Sequence, residues 1–277
     1  VTDNQTVQSY IDAWTHSVEA ITELLAPVPT DSWNRPTECP GWSVRDVVSH
    51  IIGVESELLG DPRPIHSLPG DLRHVTGEYA RYIELPVDKR RCHTPIEVIS
   101  ELEYTVIRRS RALRNARHEP GDLVRWPAGP LSEDVPYVEL LRRRAGDVWV
   151  LEQDLRRALR TPGNLSAPGA LVTRDLLLQG LPDVVAKRAG APAGTTVAFE
   201  VTGPVGFLRT VRVDASGRGT VDESVVLGPD TRITLDWETF VRLACGRVRP
   251  EAVGDRLRFA GDHELSTRVL AHFSQKP

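Results

Sequence analysis

The sequence predicts an α+β protein, with a four-helix bundle over residues 1–162 and a small α/β domain over residues 163–277. Three observations carry this. Four long segments repeat apolar residues at helical spacing and are joined by Pro- and Gly-rich connections, the pattern of an antiparallel bundle. Thr161-Pro-Gly163 to Pro168-Gly169 is framed by two Pro-Gly pairs and marks a boundary. Beyond it, short β-branched runs alternate with period two between Gly-bearing turns, which reads as a small antiparallel sheet.

Residues 7–25 form the first predicted helix, with Tyr10, Trp14, Val18, Ile21 and Leu25 on one side, ended by Ala26-Pro-Val-Pro29. The second begins after Cys39-Pro-Gly-Trp-Ser43. There Pro40-Gly41 signals a turn, and Ser43-x-x-Asp46 ahead of an apolar run has the form of a capping box. It runs from Val44 to about Leu59, and Val44, Val47, Val48, Ile51, Val54 and Leu58 make its core stripe. His50 stands at the edge of that stripe, which by itself suits a partly buried, hydrogen-bonded histidine.

A breaker-rich loop follows Gly60, and 71–84 is either helical or partly irregular. Thr94-Pro95-Ile-Glu97 starts another helix, with proline suited to its first turn. That helix extends to about Arg117, turning Ile96, Ile99, Leu102, Val106 and Leu113 inward and the arginines Arg108, Arg109, Arg111, Arg114 and Arg117 outward as a solvated face. A loop holding Trp126 leads to the last bundle helix, from near Pro136 to Leu159. In the second domain a helix over 171–188 precedes strands at Val197–Val201, Leu208–Val213, Thr220–Asp222 with Val225-Val226, and Arg232–Leu235. Two helices close the chain, one over Asp236–Cys245 stopped by Gly246 and one from Gly261-Asp262 to Phe273.

With 40% hydrophobic and 26% charged residues, the composition is that of a soluble globular protein. A net charge of −4 argues against a general nucleic-acid binder, which needs a basic surface to neutralise phosphates. No run approaches the roughly 18 apolar residues that cross a bilayer, so no membrane partner is expected. The first twenty residues carry Asp3, Asp12 and Glu19 and lack a secretory signal pattern, so a cytoplasmic protein is expected. Cys39, Cys92 and Cys245 are far apart and odd in number, with neither a zinc-ribbon nor a disulfide spacing. Cys39 reads as a small buried residue of the turn rather than a reactive thiol.

The stretch Cys39 to His50 resembles the first signature of the mycothiol-dependent maleylpyruvate isomerase family, whose N-terminal domain is a DinB-like, metal-binding four-helix bundle. Gly146-Asp-Val-Trp-Val-Leu-Glu-Gln-Asp-Leu-Arg-Arg-Ala-Leu159 resembles its second signature. Trp237-Glu-Thr-Phe-Val-Arg-Leu-Ala-Cys-Gly-Arg247 with Gly261-Asp-His-Glu-Leu265 resembles its sterol-carrier-like C-terminal domain. The resemblance spans roughly residues 7–273 and implies a metal, usually zinc, with mycothiol as the thiol and a small electrophile as the substrate. It places metal ligands at His50 and Asp147, and a third at the position held here by Leu151.

Leu151 cannot ligate. Glu152 lies about 100° further round the helix, and Asp154 is two turns along, roughly 10 Å from Asp147. Two protein ligands argue against tight zinc binding, unless water and a further carboxylate complete a site. Apart from the resemblance, Asp147 reads as a carboxylate paired with Arg143 or Arg144, Trp149 as core, and Asp154, Arg156 and Arg157 as helix-end charge pairing. Two functions therefore stay open: a mycothiol-dependent isomerase or S-transferase, or a non-catalytic member that binds a ligand or partner. The substrate and the oligomeric state are not legible.

Overall fold

The computed structural model describes residues 3–223 and 228–275. The chain divides into two compact units, 1–172 and 173–277. The first unit is built on helices α1 (Asp3–Leu25), α2 (Val44–Leu58), α4 (Pro95–Asn115) and α5 (Tyr137–Leu159), with the shorter α3 (Glu78–Lys89) beside α2. Trp14, Ile21, Leu25, Val47, Ile51, Leu102, Val148 and Leu155 fill the space between them. α2 starts where the sequence places it. The Ser43 side chain accepts the Asp46 amide, and Asp46 accepts the Ser43 amide. Thr94 and Glu97 make the same reciprocal pair at α4, with Pro95 in the first turn.

Three expectations for this unit need correction. α3 begins only at Glu78 and continues past 84 to Lys89, carrying Pro86 inside it. The Trp126 loop contains a small hairpin, β1 (Leu123–Trp126) paired antiparallel with β2 (Glu133–Pro136). Four-residue strands flanked by prolines give too short an alternation to be read as strands. α4 keeps most of its expected inward face, with Leu102 and Leu113 buried and Ile99 and Val106 packed against the core, but Ile96 is 77% exposed and Val98 and Arg109 are buried instead. Arg109, expected in solvent, is buried because a carboxylate on α2 receives it.

The second unit begins within α6 (Pro168–Asp183), which widens into a π-helical turn over Val184–Arg188. Its sheet comprises β3 (Thr196–Thr202), β4 (Phe207–Val213), β5 (Gly219–Asp222), β6 (Thr231–Asp236) and β7 (Leu257–Gly261), in the order β5-β4-β3-β6-β7. The expected all-antiparallel sheet is mixed, since the central pair β3–β6 runs parallel. β7 was not legible because it is mostly exposed and lacks an apolar alternation. The expected strand residues Val225-Val226 lie outside the described residues. α7 (Trp237–Ala244) is capped by Asp236 and α8 (His263–Ala271) by Asp262. Phe199, Phe207, Trp237, Phe240 and Phe273 form one aromatic cluster in the core of this unit.

Candidate functional site

The Cys39–Trp42 turn sets the site because it fixes both the entry of α2 and the Trp42 ring. Thr37 and Trp42 close the turn, the Thr37 amide donating to the Trp42 carbonyl at 2.9 Å. Gly41 has φ of +77°, and a Cβ there would come within 2.3 Å of the His74 ring, so the turn needs glycine on both counts. The Trp42 indole then donates to Glu84 at 2.8 Å, and its ring lies 4.9 Å from the His50 imidazole.

His50 and Asp147 open onto one small cleft of about 50 Å³ in the bundle. Arg144, Glu57, Arg63, Tyr82 and Trp126 also line it. The Asp147 carboxylate lies 3.8 Å from the Arg144 guanidinium, one helical turn earlier. Leu151 does not line the cleft. It is 5% exposed and packs into the bundle core. Among the described residues, no group of three or more His, Cys, Asp or Glu side chains is placed to hold a metal ion. A catalytic zinc site takes three protein ligands and an open position. One imidazole and one carboxylate, with hydrocarbon at the next helical position, do not fit that requirement.

The centre of charge beneath the cleft is Glu55, which sequence reasoning passed over. It is fully buried and accepts Arg144 Nη2 at 2.8 Å, Arg109 Nε at 3.2 Å and Trp14 Nε1 at 3.0 Å. Burial pushes its carboxyl up, but the Arg144 and Arg109 guanidiniums beside it hold it below the usual carboxylate range. The signal was present: Val47, Ile51 and Glu55 share one helical stripe, as do Leu141, Arg144, Val148 and Leu155. An acid and a base at core positions of facing helices point to a buried pair.

Arg63 donates to Glu57 at 2.7 Å and stacks 3.5 Å over the Tyr82 ring. Tyr82 in turn hydrogen-bonds Glu57. Burial and that carboxylate push the phenol up to about 12. The remaining sequence candidates are structural. The Cys39 thiol is buried and lies 3.2 Å from Asp154, which is itself buried and paired with Arg157. Asp154 is thus charge-paired as expected, but inside the protein rather than at a solvated helix end. Glu152 is bound by Arg156 and Asn164, each at 2.7 Å. Trp149 is core, its indole donating to the Asn164 carbonyl.

A helical bundle with a polar cleft lined from α2 and α5, followed by a separate α/β unit, is the class that fold and site define. The mycothiol maleylpyruvate isomerase N-terminal domain family matches residues 14–156, and the C-terminal domain of the same proteins matches 172–268. The chain belongs to the mycothiol-dependent maleylpyruvate isomerase family. A crystal structure of the mycothiol-dependent maleylpyruvate isomerase is similar over 94% of this chain and 95% of that one, at 15% identity and a TM-score of 0.56. A mutant form of it gives 14% identity, the same coverage and a TM-score of 0.57. A sterol carrier protein 2-like protein from Aedes aegypti matches 36% of this chain and 94% of its own, with 15% identity and a TM-score of 0.29. No curated protein matches the chain. Among the described residues, no helix is long and apolar enough to cross a membrane.

Proposed function

We infer that this chain is a relative of mycothiol-dependent isomerases and thiol transferases whose cleft receives a small thiol, mycothiol, and a small electrophile. One observation carries the reading: His50 and Asp147, from two distant stretches of sequence, open onto the same cleft in a chain of this family. In this reading they are the surviving pair of a ligand set whose third position is Leu151, and no step passes through a metal. The cleft still supplies an imidazole, a carboxylate and the Arg144 guanidinium. That cation is held in place by buried Glu55 and suits an anionic group on the electrophile or a developing thiolate. A cytoplasmic location goes with this reading, since free thiols are kept reduced there.

The burial of Leu151 favours a second reading, a non-catalytic member that binds a ligand without turning it over. Incubating the purified chain with mycothiol and maleylpyruvate, while following isomer composition and free thiol, separates the two. Turnover that falls in His50→Ala supports the enzyme. Saturable mycothiol binding by calorimetry without turnover supports the binding protein. Neither binding nor turnover refutes both.

A further inference from the structure

Helix α4 carries three of the eight large apolar side chains exposed among the described residues: Ile96, Tyr104 at 62% and Ile107 at 64%. They share one side of it. Ile96, Ser100, Glu103, Ile107, Arg111 and Arg114 follow at alternating three- and four-residue spacings, which makes a single stripe along the helix, and Tyr104 borders it. All seven residues are exposed. At 1.5 Å per residue the stripe is about 27 Å long.

The charges of α4 divide along the same line. Glu97 is taken up by the Thr94 cap, Glu101 by Arg90, Arg108 by Asp61 at 2.7 Å, and Arg109 by Glu55. Among the described residues, Glu103, Arg111 and Arg114 make no ion pair within the chain. The charges that the chain leaves unpaired thus stand on the stripe, the acid before Ile107 and the two bases after it.

That order makes the stripe complementary to itself. When two copies lie antiparallel about a two-fold axis through Ile107, the two Ile107 side chains meet. Each Glu103 then faces Arg111 of the second copy, and each Ser100, whose hydroxyl accepts a hydrogen bond, faces Arg114. A parallel pairing would instead set Glu103 against Glu103 and Arg111 against Arg111, which is repulsive. A face with an acid on one side of an apolar centre and bases on the other matches its own image under a two-fold rotation.

We propose that this stripe is a self-recognition surface on which a second copy of the chain docks, antiparallel, with Ile107 on the two-fold axis. A single helix pair falls below the roughly 1,200 Å² of stable interfaces, so the dimer is weak and forms only at high concentration. The proposal holds whatever reaction the cleft performs.

The test is sedimentation equilibrium of the full chain from about 5 to about 500 μM, at about 50 mM and about 500 mM NaCl. The wild type should move toward twice its monomer mass as concentration rises. Its midpoint should lie about fivefold higher at the higher salt, because exposed charge pairs are screened. Glu103→Arg and Arg111→Glu each place like charges across the axis twice, and each variant alone should stay monomeric. Mixed in equal amounts, the two should associate, since both charged contacts of the mixed pair are again acid against base. The double variant Glu103→Arg/Arg111→Glu keeps the wild-type net charge and should dimerise by itself. Both positions are exposed, so circular dichroism of all the variants should match the wild type. A wild type that stays monomeric to about 500 μM at low salt overturns the proposal. So does a dimer that either single change leaves intact, or a double variant that remains monomeric.

Discussion

Replacing Glu55 by glutamine keeps side-chain volume and removes one charge from the centre of the bundle. The wild-type carboxylate faces two guanidiniums whose side chains are only 9% and 4% exposed. A pair about 4 Å apart at an effective dielectric of about 20 is worth about 4 kcal/mol before solvation is counted. Removing one partner of a buried ion pair typically costs about 3–5 kcal/mol. Arg144 keeps a second carboxylate, Asp147 at 3.8 Å, which places the expected loss near the lower end, about 3 kcal/mol. Urea unfolding of wild type and Glu55→Gln followed by circular dichroism measures it. Because the folded-state carboxyl lies below its ordinary value, its stabilisation is present at neutral pH and is lost as pH falls through the folded value. The gap between the two proteins should therefore close in acid. A neutral-pH gap under about 1 kcal/mol, the scale of an exposed pair, would refute the assignment of Glu55 as the charge centre.

Leu151→Ala should cost about 2–5 kcal/mol in the same assay, since it empties a core position; no measurable loss would mean that the side chain is not packed. Leu151→His sets an imidazole one turn from Asp147, and zinc analysis after dialysis against a weak chelator should find near-stoichiometric metal in the variant and little in the parent. Equal zinc in both would show that Leu151 does not decide metal binding. Alkaline difference absorbance should show one tyrosine titrating near pH 12, and Glu57→Gln should lower its midpoint; an unchanged midpoint would remove Glu57 as a cause of the Tyr82 shift.

What could be read from the sequence was local. Ser43 and Asp46 specify the start of α2 by bonding to each other's backbone, so four residues suffice. The helical spacing of Tyr137–Leu159 needs no partner to be recognised. Arg109 on α4 was misplaced because the residue that draws it inward, Glu55, lies 54 positions earlier, on another helix. At the site, His50 and Asp147 were named through resemblance, and their convergence on one cleft was not visible in spacing. Glu84 escaped entirely. Its partners Trp42, His74 and Arg91 come from a turn, a loop and the segment after α3, and no periodicity links them.

The parallel pairing of β3 with β6 has a consequence for how the second unit assembles. β3, β4 and β5 are joined by short connections and form a meander from neighbouring segments. β6 lies on the far side of β3 from β4 and β5, pairing Val197 with Thr231 and Val201 with Leu235. Closing such a loop costs chain entropy before any of the new contacts form, so non-local strand pairing is slow. The sheet should thus acquire its middle last, with the buried residues Phe199 and Ile233 at its slowest seam. Until then Phe199 lacks its partner strand, and the half-built sheet carries an apolar edge open to other chains.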